Sequence, residues 1–310
     1  MNNPPESQKT LHEKVGDWLS TEGYPLEFRT ADGFQKAGFK VLQGQHVRDP
    51  QVNKLRETDV IAMHSIHVQD SLLRVVQVIE CKWSKDKPWV VFTSTESRMA
   101  PAACVAQSIA TEAGQAILWA IAGNPVLDSL ELFAVSERAG FGGRQAFTKD
   151  SDRFYNAMQS VTTACSLLME DYDALSAEVA DPLEYAVFGF PIIVLDGELF
   201  EAHYDSNTGA MVLNAAQQLR VHWRGADCRN LISTLDIVTI GALDAFAKKR
   251  AMDVEALMLP AKLCLEQLRE CLERQSLDCL HVVEGGKGVE GLPTLLQKLQ
   301  ERIAKKLSQN

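Results

Sequence analysis

The chain has 310 residues, 46% of them hydrophobic, with a formal net charge of −10 and seven cysteines. That length can bury a sizeable core in one elaborated domain or two, and the acidic balance excludes the global basic field that accompanies non-specific binding of duplex nucleic acid. The odd cysteine count, without a Cys-x-x-Cys pair or histidines at zinc spacing, argues against a disulfide framework and against zinc. The polar N-terminus and the lack of an apolar run of about 18 residues predict a cytoplasmic protein with no membrane contact.

In chain order, Pro25 suits a first helical position and Gly38 a helix stop, so residues 24–38 read as a helix with Glu27 on its first turn. The helix dipole alone also favours a carboxylate there. Residues 39–44, 58–65 and 72–83 read as three strands. Asp49, before Pro50, reads as a turn residue. Residues 75–79 (Val-Val-Gln-Val-Ile) belong to a strand covered on both faces. Trp83 and Trp89 flank Ser84 to Pro88, either to stack on an unpaired base or to pack at the sheet edge.

Residues 103–115 have helical spacing and carry Gln107 and Gln115. Residues 130–136 read as a strand, followed by a Gly-rich turn, Gly140-Phe-Gly-Gly-Arg144. A helix is predicted over 154–172. A hairpin over 190–202 would turn at Asp196-Gly197. Residues 212–223 add a strand, and 236–250 read as a strand running into a helix. Helical spacing returns over 254–274 and 294–307, with a flexible joint at 284–291. These last helices would cover the core, pair with a second subunit as a homodimer, or dock on a partner protein. The predicted organisation is a core over 1–125, an α+β extension over 126–250 that builds a substrate cleft, and a helical C-terminal region over 251–310.

The chemistry concentrates in the second and third strands. Side chains alternate faces along a strand, so Glu80 and Lys82 point the same way while Ile79 and Cys81 point the other. Asp59, on the neighbouring strand, adds a second carboxylate. Two carboxylates beside one ammonium are costly in a partly buried sheet unless a cation joins them. Oxygen donors of this kind suit a hard divalent ion, most simply Mg2+.

Glu27 on a helix, then three strands carrying Asp59 and Glu80-Cys81-Lys82, resembles the PD-(D/E)XK nuclease superfamily over roughly residues 10–125. The resemblance implies an α/β, restriction-endonuclease-like fold, a mixed sheet flanked by helices. It also implies a Mg2+-dependent nuclease, with Mn2+ able to substitute, that hydrolyses phosphodiester bonds of DNA in preference to RNA, in restriction, defence or repair. By the same resemblance Asp59 and Glu80 hold the metal and the Cys81 carbonyl completes its inner shell. Lys82 orients or deprotonates the attacking water, and Glu27 binds a second ion or a metal-bound water. Gln107 falls where members of the superfamily carry a supporting polar residue. Arg56 and Arg144 are candidates for phosphate contact, although a solvated charge cluster and an ordinary turn are the commoner meanings of those two segments. The alternative is a catalytically silent protein of the same fold that binds nucleic acid or a protein partner. The intact Asp59, Glu80 and Lys82 set favours the enzyme, and the acidic net charge favours the binder.

Overall fold

The computed structural model describes residues 9–49, 54–95, 101–149, 153–179, 181–223 and 233–274, with isolated positions at 297 and 301. Among these residues the helices are α1 (Leu11–Thr21), α2 (Tyr24–Lys36), α3 (Pro101–Ala106), α4 (Glu112–Ile121), α5 (Pro125–Asp128), α6 (Arg153–Val179) and α7 (Leu243–Arg274). The strands are β1 (Lys40–Asp49), β2 (Lys54–Val68), β3 (Ser71–Ser94), β4 (Ile109–Ala110), β5 (Ala139–Gln145), β6 (Tyr185–Asp205), β7 (Ala210–Ala216), β8 (Gln218–Trp223) and β9 (Ser233–Thr239). The protein is a mixed α/β structure on one large sheet, and the strands before and after residue 125 belong to that same sheet. No described helix is long and apolar enough to cross a membrane.

Local sequence explains the entry to the fold. Thr10 and Glu13 exchange hydrogen bonds as a capping box at the start of α1. Pro25 occupies the first turn of α2, and Gly38, at φ +99°, takes the left-handed conformation that ends it. The chain then runs β1, β2 and β3 as an antiparallel meander, and β6 lies parallel to β3 from Leu72 to Phe92. β5 pairs with the far half of β3, and through β8 and β9 returns to β6, so five strands pair in a closed circuit.

The period-two alternation of β3 divides the core into two layers. Leu73, Val75 and Ile79 face the layer that holds Phe34 of α2, Ile117 of α4 and Leu257 of α7. Val76 and Val78 face α6, against Val161 and Cys165. Trp89 is buried in the second layer, edge to face with Phe154 at 5.1 Å between ring centroids. That aromatic pair is the packing role of the two open at Trp89.

Several predicted elements come out differently. Residues 103–115 form no single helix: α3 ends at Ala106, the short β4 pairs with β6, and α4 begins at Glu112. β1 extends to Asp49, which pairs with Lys54, so Asp49 is a strand residue. Residues 130–136 form no strand: Leu132 and Phe133 are buried in a looped segment, where the Leu132 N–H donates to the Asp253 carboxylate of α7 at 3.1 Å. Burial of an apolar run does not require a ladder when a helix supplies the hydrogen-bond partner. The glycines at 140–144 lie in β5. A Cβ at Gly143 would come within 2.4 Å of Phe154, and one at Gly140 within 2.7 Å of Val91, so these glycines permit close packing in a strand.

The Asp196-Gly197 pair likewise makes no hairpin. Residues 185–205 are one strand, and Gly197 allows close approach to β3, since a Cβ there would meet the Ser84 carbonyl oxygen at 2.5 Å. The turn comes at residues 206–209, where Gly209 has φ +67° and the chain reverses into β7. Residues 212–223 divide into β7 and β8 around Gln217. The predicted helices at 154–172 and 254–274 correspond to parts of α6 and α7. The joint at 284–291 and the helix at 294–307 lie outside the described residues, apart from the isolated position at 297 and that at 301.

Candidate active site

The site forms where β2 and β3 part. Their ladder ends at Val60 opposite Ile79, and Asp59 and Glu80 are the first residues beyond it. Asp59 is flanked on its other side by β1, whose Gly44 sits between the pairs Gln43–Val60 and Gln45–Thr58 with φ +59°. A left-handed residue bends β1 directly across from Asp59. The Asp59 carboxylate then takes the place of the ladder: its Oδ2 accepts the Cys81 N–H at 2.7 Å.

Glu80 and Lys82 share one face of β3 and form an ion pair between Glu80 Oε1 and Lys82 Nζ, with side chains 12% and 33% exposed. Ser160 of α6 stands over them, its Oγ 3.5 Å from Glu80 Oε2. Cys81 points to the opposite layer, its Sγ 3.5 Å from Thr30 Oγ1 of α2. Burial raises the Cys81 thiol far above its ordinary range, so it is a neutral packing group. Glu27 lies one turn before Thr30, half-buried. α2 thereby brings Glu27 towards the strand carboxylates.

All three carboxyls are shifted upward. Burial is the largest cause for Glu80, with repulsion from Asp59 added and Lys82 opposing. Burial also leads for Asp59, against the Cys81 N–H and Lys82, with Glu57 repelling it. For Glu27, burial comes first, followed by repulsion from Asp59 and Glu57, with Lys82 again opposing. These groups act on one another as a single electrostatic cluster, in which Lys82 is the only cation among the causes for any of the three carboxyls. The donors are hard oxygens, and their mutual repulsion is relieved by a cation. Among the described residues no three His, Cys, Asp or Glu side chains stand close enough to make a metal shell by themselves. A Mg2+ ion that keeps several of its waters asks for only one or two carboxylates, and Asp59 and Glu80 fit that demand.

The remaining predicted residues are spread more widely. Arg56 lies three residues before Asp59, about 10 Å along β2 and on its other face. Gln107 occupies the turn after α3, its N–H bonded to the Ala103 carbonyl at 2.9 Å. Arg144 is exposed on β5 opposite Val90. Val90 pairs with Phe200, five residues along β6 from Leu195, the partner of Lys82. Arg144 is thus roughly 17 Å along the sheet from Lys82. Sequence reasoning missed Thr30 and Ser160. Thr30 follows Glu27 by one helical turn, a signal that was present, whereas Ser160 reaches Glu80 across 80 residues of chain with no local signal.

A second charged cluster joins β8, β9 and α7. Arg220 of β8 and Asp236 of β9 are cross-strand partners joined by two hydrogen bonds of 2.9 Å, and Arg250 of α7 also donates to Asp236. Arg220 further donates to the Ala134 carbonyl at 2.8 Å. Arg250 lies over the Phe246 ring at 4.7 Å. Burial alone would raise Asp236, but the two guanidiniums hold its carboxyl below the ordinary range.

Comparison of the chain with family models, with curated proteins and with solved structures found no match.

Proposed function

We propose that this protein is a divalent-metal-dependent nuclease of the PD-(D/E)XK kind, with a restriction-endonuclease-like core, that hydrolyses phosphodiester bonds of DNA. The observation that carries the reading is the Glu80–Lys82 ion pair where the β2–β3 ladder ends, with the Asp59 carboxylate fixed on the Cys81 N–H beside it and burial raising both strand carboxyls. A sheet gains nothing in stability from such an excess of buried negative charge.

In this reading Asp59, Glu80 and the Cys81 carbonyl hold Mg2+, or Mn2+ in its place, and Glu27 holds a second ion or a bound water. The ion supplies a lowered pKa for bound water and stabilisation of charge on the phosphate. Lys82, paired with Glu80, orients or deprotonates the attacking water and offsets charge on the scissile phosphate. The Cys81 N–H fixes the Asp59 carboxylate, and Ser160 steadies Glu80. The net charge of −10 supports a second reading, a catalytically silent binder.

Incubation with linear, circular and single-stranded DNA and with RNA, in Mg2+ or Mn2+, separates the two readings. Cleavage that depends on the metal and falls about 100- to 10,000-fold in Lys82→Ala, with comparable loss in Asp59→Ala, supports the nuclease. Full activity in both variants overturns the mechanism, and no cleavage of any substrate by the unaltered protein favours the binder.

A further inference from the structure

β7 pairs with β6 alone, so among the described residues its other edge meets no strand. An open edge presents a row of backbone N–H and C=O groups that a further strand can take up. Proteins ordinarily blunt such an edge with charged side chains, proline, a bulge or a very short strand. β7 has none of these defences. It is seven residues long, and its register on β6 runs without a shift. The stretch from Ser206 to Leu219 contains no charged residue and no proline, in a chain that is 23% charged.

The side chains beside this edge are apolar and exposed. Leu213 and Met211 are 60% and 63% exposed, and Tyr204, the cross-strand partner of Met211, is 64% exposed. Leu213 stands opposite Ala202 of β6, and Ala202 opposite the exposed Phe92 of β3. Cross-strand partners share a face, so one apolar row runs from β3 across β6 to the open edge. A contiguous exposed apolar patch marks an interaction site.

We infer that the occupant of this edge is β7 of a second copy of the chain, paired antiparallel about a two-fold axis so that the sheet continues from one copy into the other. A two-fold contact must be complementary to itself, and β7 meets that demand in shape and in charge. With the axis at Leu213, that residue faces its own counterpart and Met211 faces Ala215, large beside small. Two-fold pairing keeps equal residues on equal faces, so the apolar row of one copy abuts that of the other. Each chain carries a net charge of −10, and two such chains meet without repulsion across the contact only where the contact is uncharged. The stretch 206–219 supplies that surface.

The dimer is independent of the nuclease reading, and its measurement needs no substrate. Sedimentation velocity of the full chain over about 0.1–100 μM should show a concentration-dependent conversion to twice the chain mass, a range suited to a contact smaller than the standard interface. Leu213→Lys sets two ammonium groups opposite each other and should weaken the dimer about 100-fold or more, as should Leu213→Glu with two carboxylates. Leu213 is exposed in the single chain, so both variants should keep the fold, which circular dichroism and the melting temperature check. An equimolar mixture of the two variants, one of them fluorescently labelled, should restore a dimer with one chain of each, because position 213 faces itself across the axis. A chain that stays monomeric up to about 100 μM overturns the dimer and leaves the edge to a strand of another protein. Dimers that persist in both single variants, or a mixture that stays monomeric, overturn the pairing through β7.

Discussion

Two buried charge clusters in the same sheet are balanced in opposite senses. In one, Glu80 pairs with Lys82 while Asp59 and the half-buried Glu27 repel it and each other, and all three carboxyls are raised above their ordinary values. Around Asp236 stand two guanidiniums, Arg220 and Arg250, and the carboxyl is lowered. In the second arrangement Asp236 accepts three hydrogen bonds, and cross-strand pairing in β8 and β9 places Arg220 directly beside it. It ties the sheet to α7. The first arrangement is left short of positive charge at a point where two strands diverge. One cluster joins elements of the fold, and the other is destabilised in a way that a cation or a phosphate-bound ion would relieve.

The largest expected effect comes from unbalancing the Asp236 cluster. Asp236→Asn keeps the shape of the side chain but leaves two buried guanidiniums facing each other, because arginine cannot discharge by losing a proton. Breaking a buried ion pair at one partner costs about 3–5 kcal/mol. Urea unfolding should record a loss of that size, and a change under about 1 kcal/mol would mean that Arg220 and Arg250 are solvated as well without Asp236 as with it.

The pH dependence of the two clusters should also differ in sign. Asp236, with a lowered folded pKa, contributes stability that is present above the ordinary Asp value of 3.8 and is lost as pH falls through the folded value. The Asp236→Asn penalty should therefore persist down to the ordinary value of 3.8 and shrink between it and the folded value. Asp59 and Glu80, with raised folded pKa values, behave in reverse: the folded state holds their protons more tightly, so stability falls as pH rises from the ordinary 3.8 and 4.5 through the raised values. Melting temperatures of the unaltered chain, Asp236→Asn and Glu80→Gln across that window measure both signs. Parallel curves for the two variants would erase the distinction between the clusters.

The contrast also explains what could be read in advance. Asp59, Glu80 and Lys82 were legible because period-two alternation and apolar flanks fix their faces before any pairing is known. The Arg220–Asp236–Arg250 cluster was not, since each member sits in a different element and only the register of β8 on β9 brings two of them together. Gly140, Gly143 and Gly197 misled for a related reason. A glycine that grants backbone freedom to a turn and a glycine that grants space to Val91, Phe154 or Ser84 look alike in sequence, and only the neighbour across the sheet tells them apart. Trp89 and Trp83, six residues apart, were equal candidates until the bulge between them turned Trp89 into the core and left Trp83 46% exposed.

The smallest effect is the one that ties the open cluster to its use. Glu80→Gln removes a buried charge that repels Asp59 and Glu27 while keeping an amide able to accept from Lys82. In the absence of metal at about pH 7 it should stabilise the fold by roughly 1 kcal/mol, a shift of a few degrees in melting temperature. Mg2+ should act on the unaltered chain in the same direction, because an ion that binds only the folded state at about 100 times its dissociation constant adds about 2.7 kcal/mol. The two gains share one cause and so should not add: in Glu80→Gln the response to Mg2+ should be largely gone. Thermal unfolding with and without Mg2+ needs no substrate and no catalytic turnover. A Mg2+ response of equal size in both proteins would move the ion away from Glu80, and with it the part of the nuclease reading that makes the uncompensated carboxylates its centre.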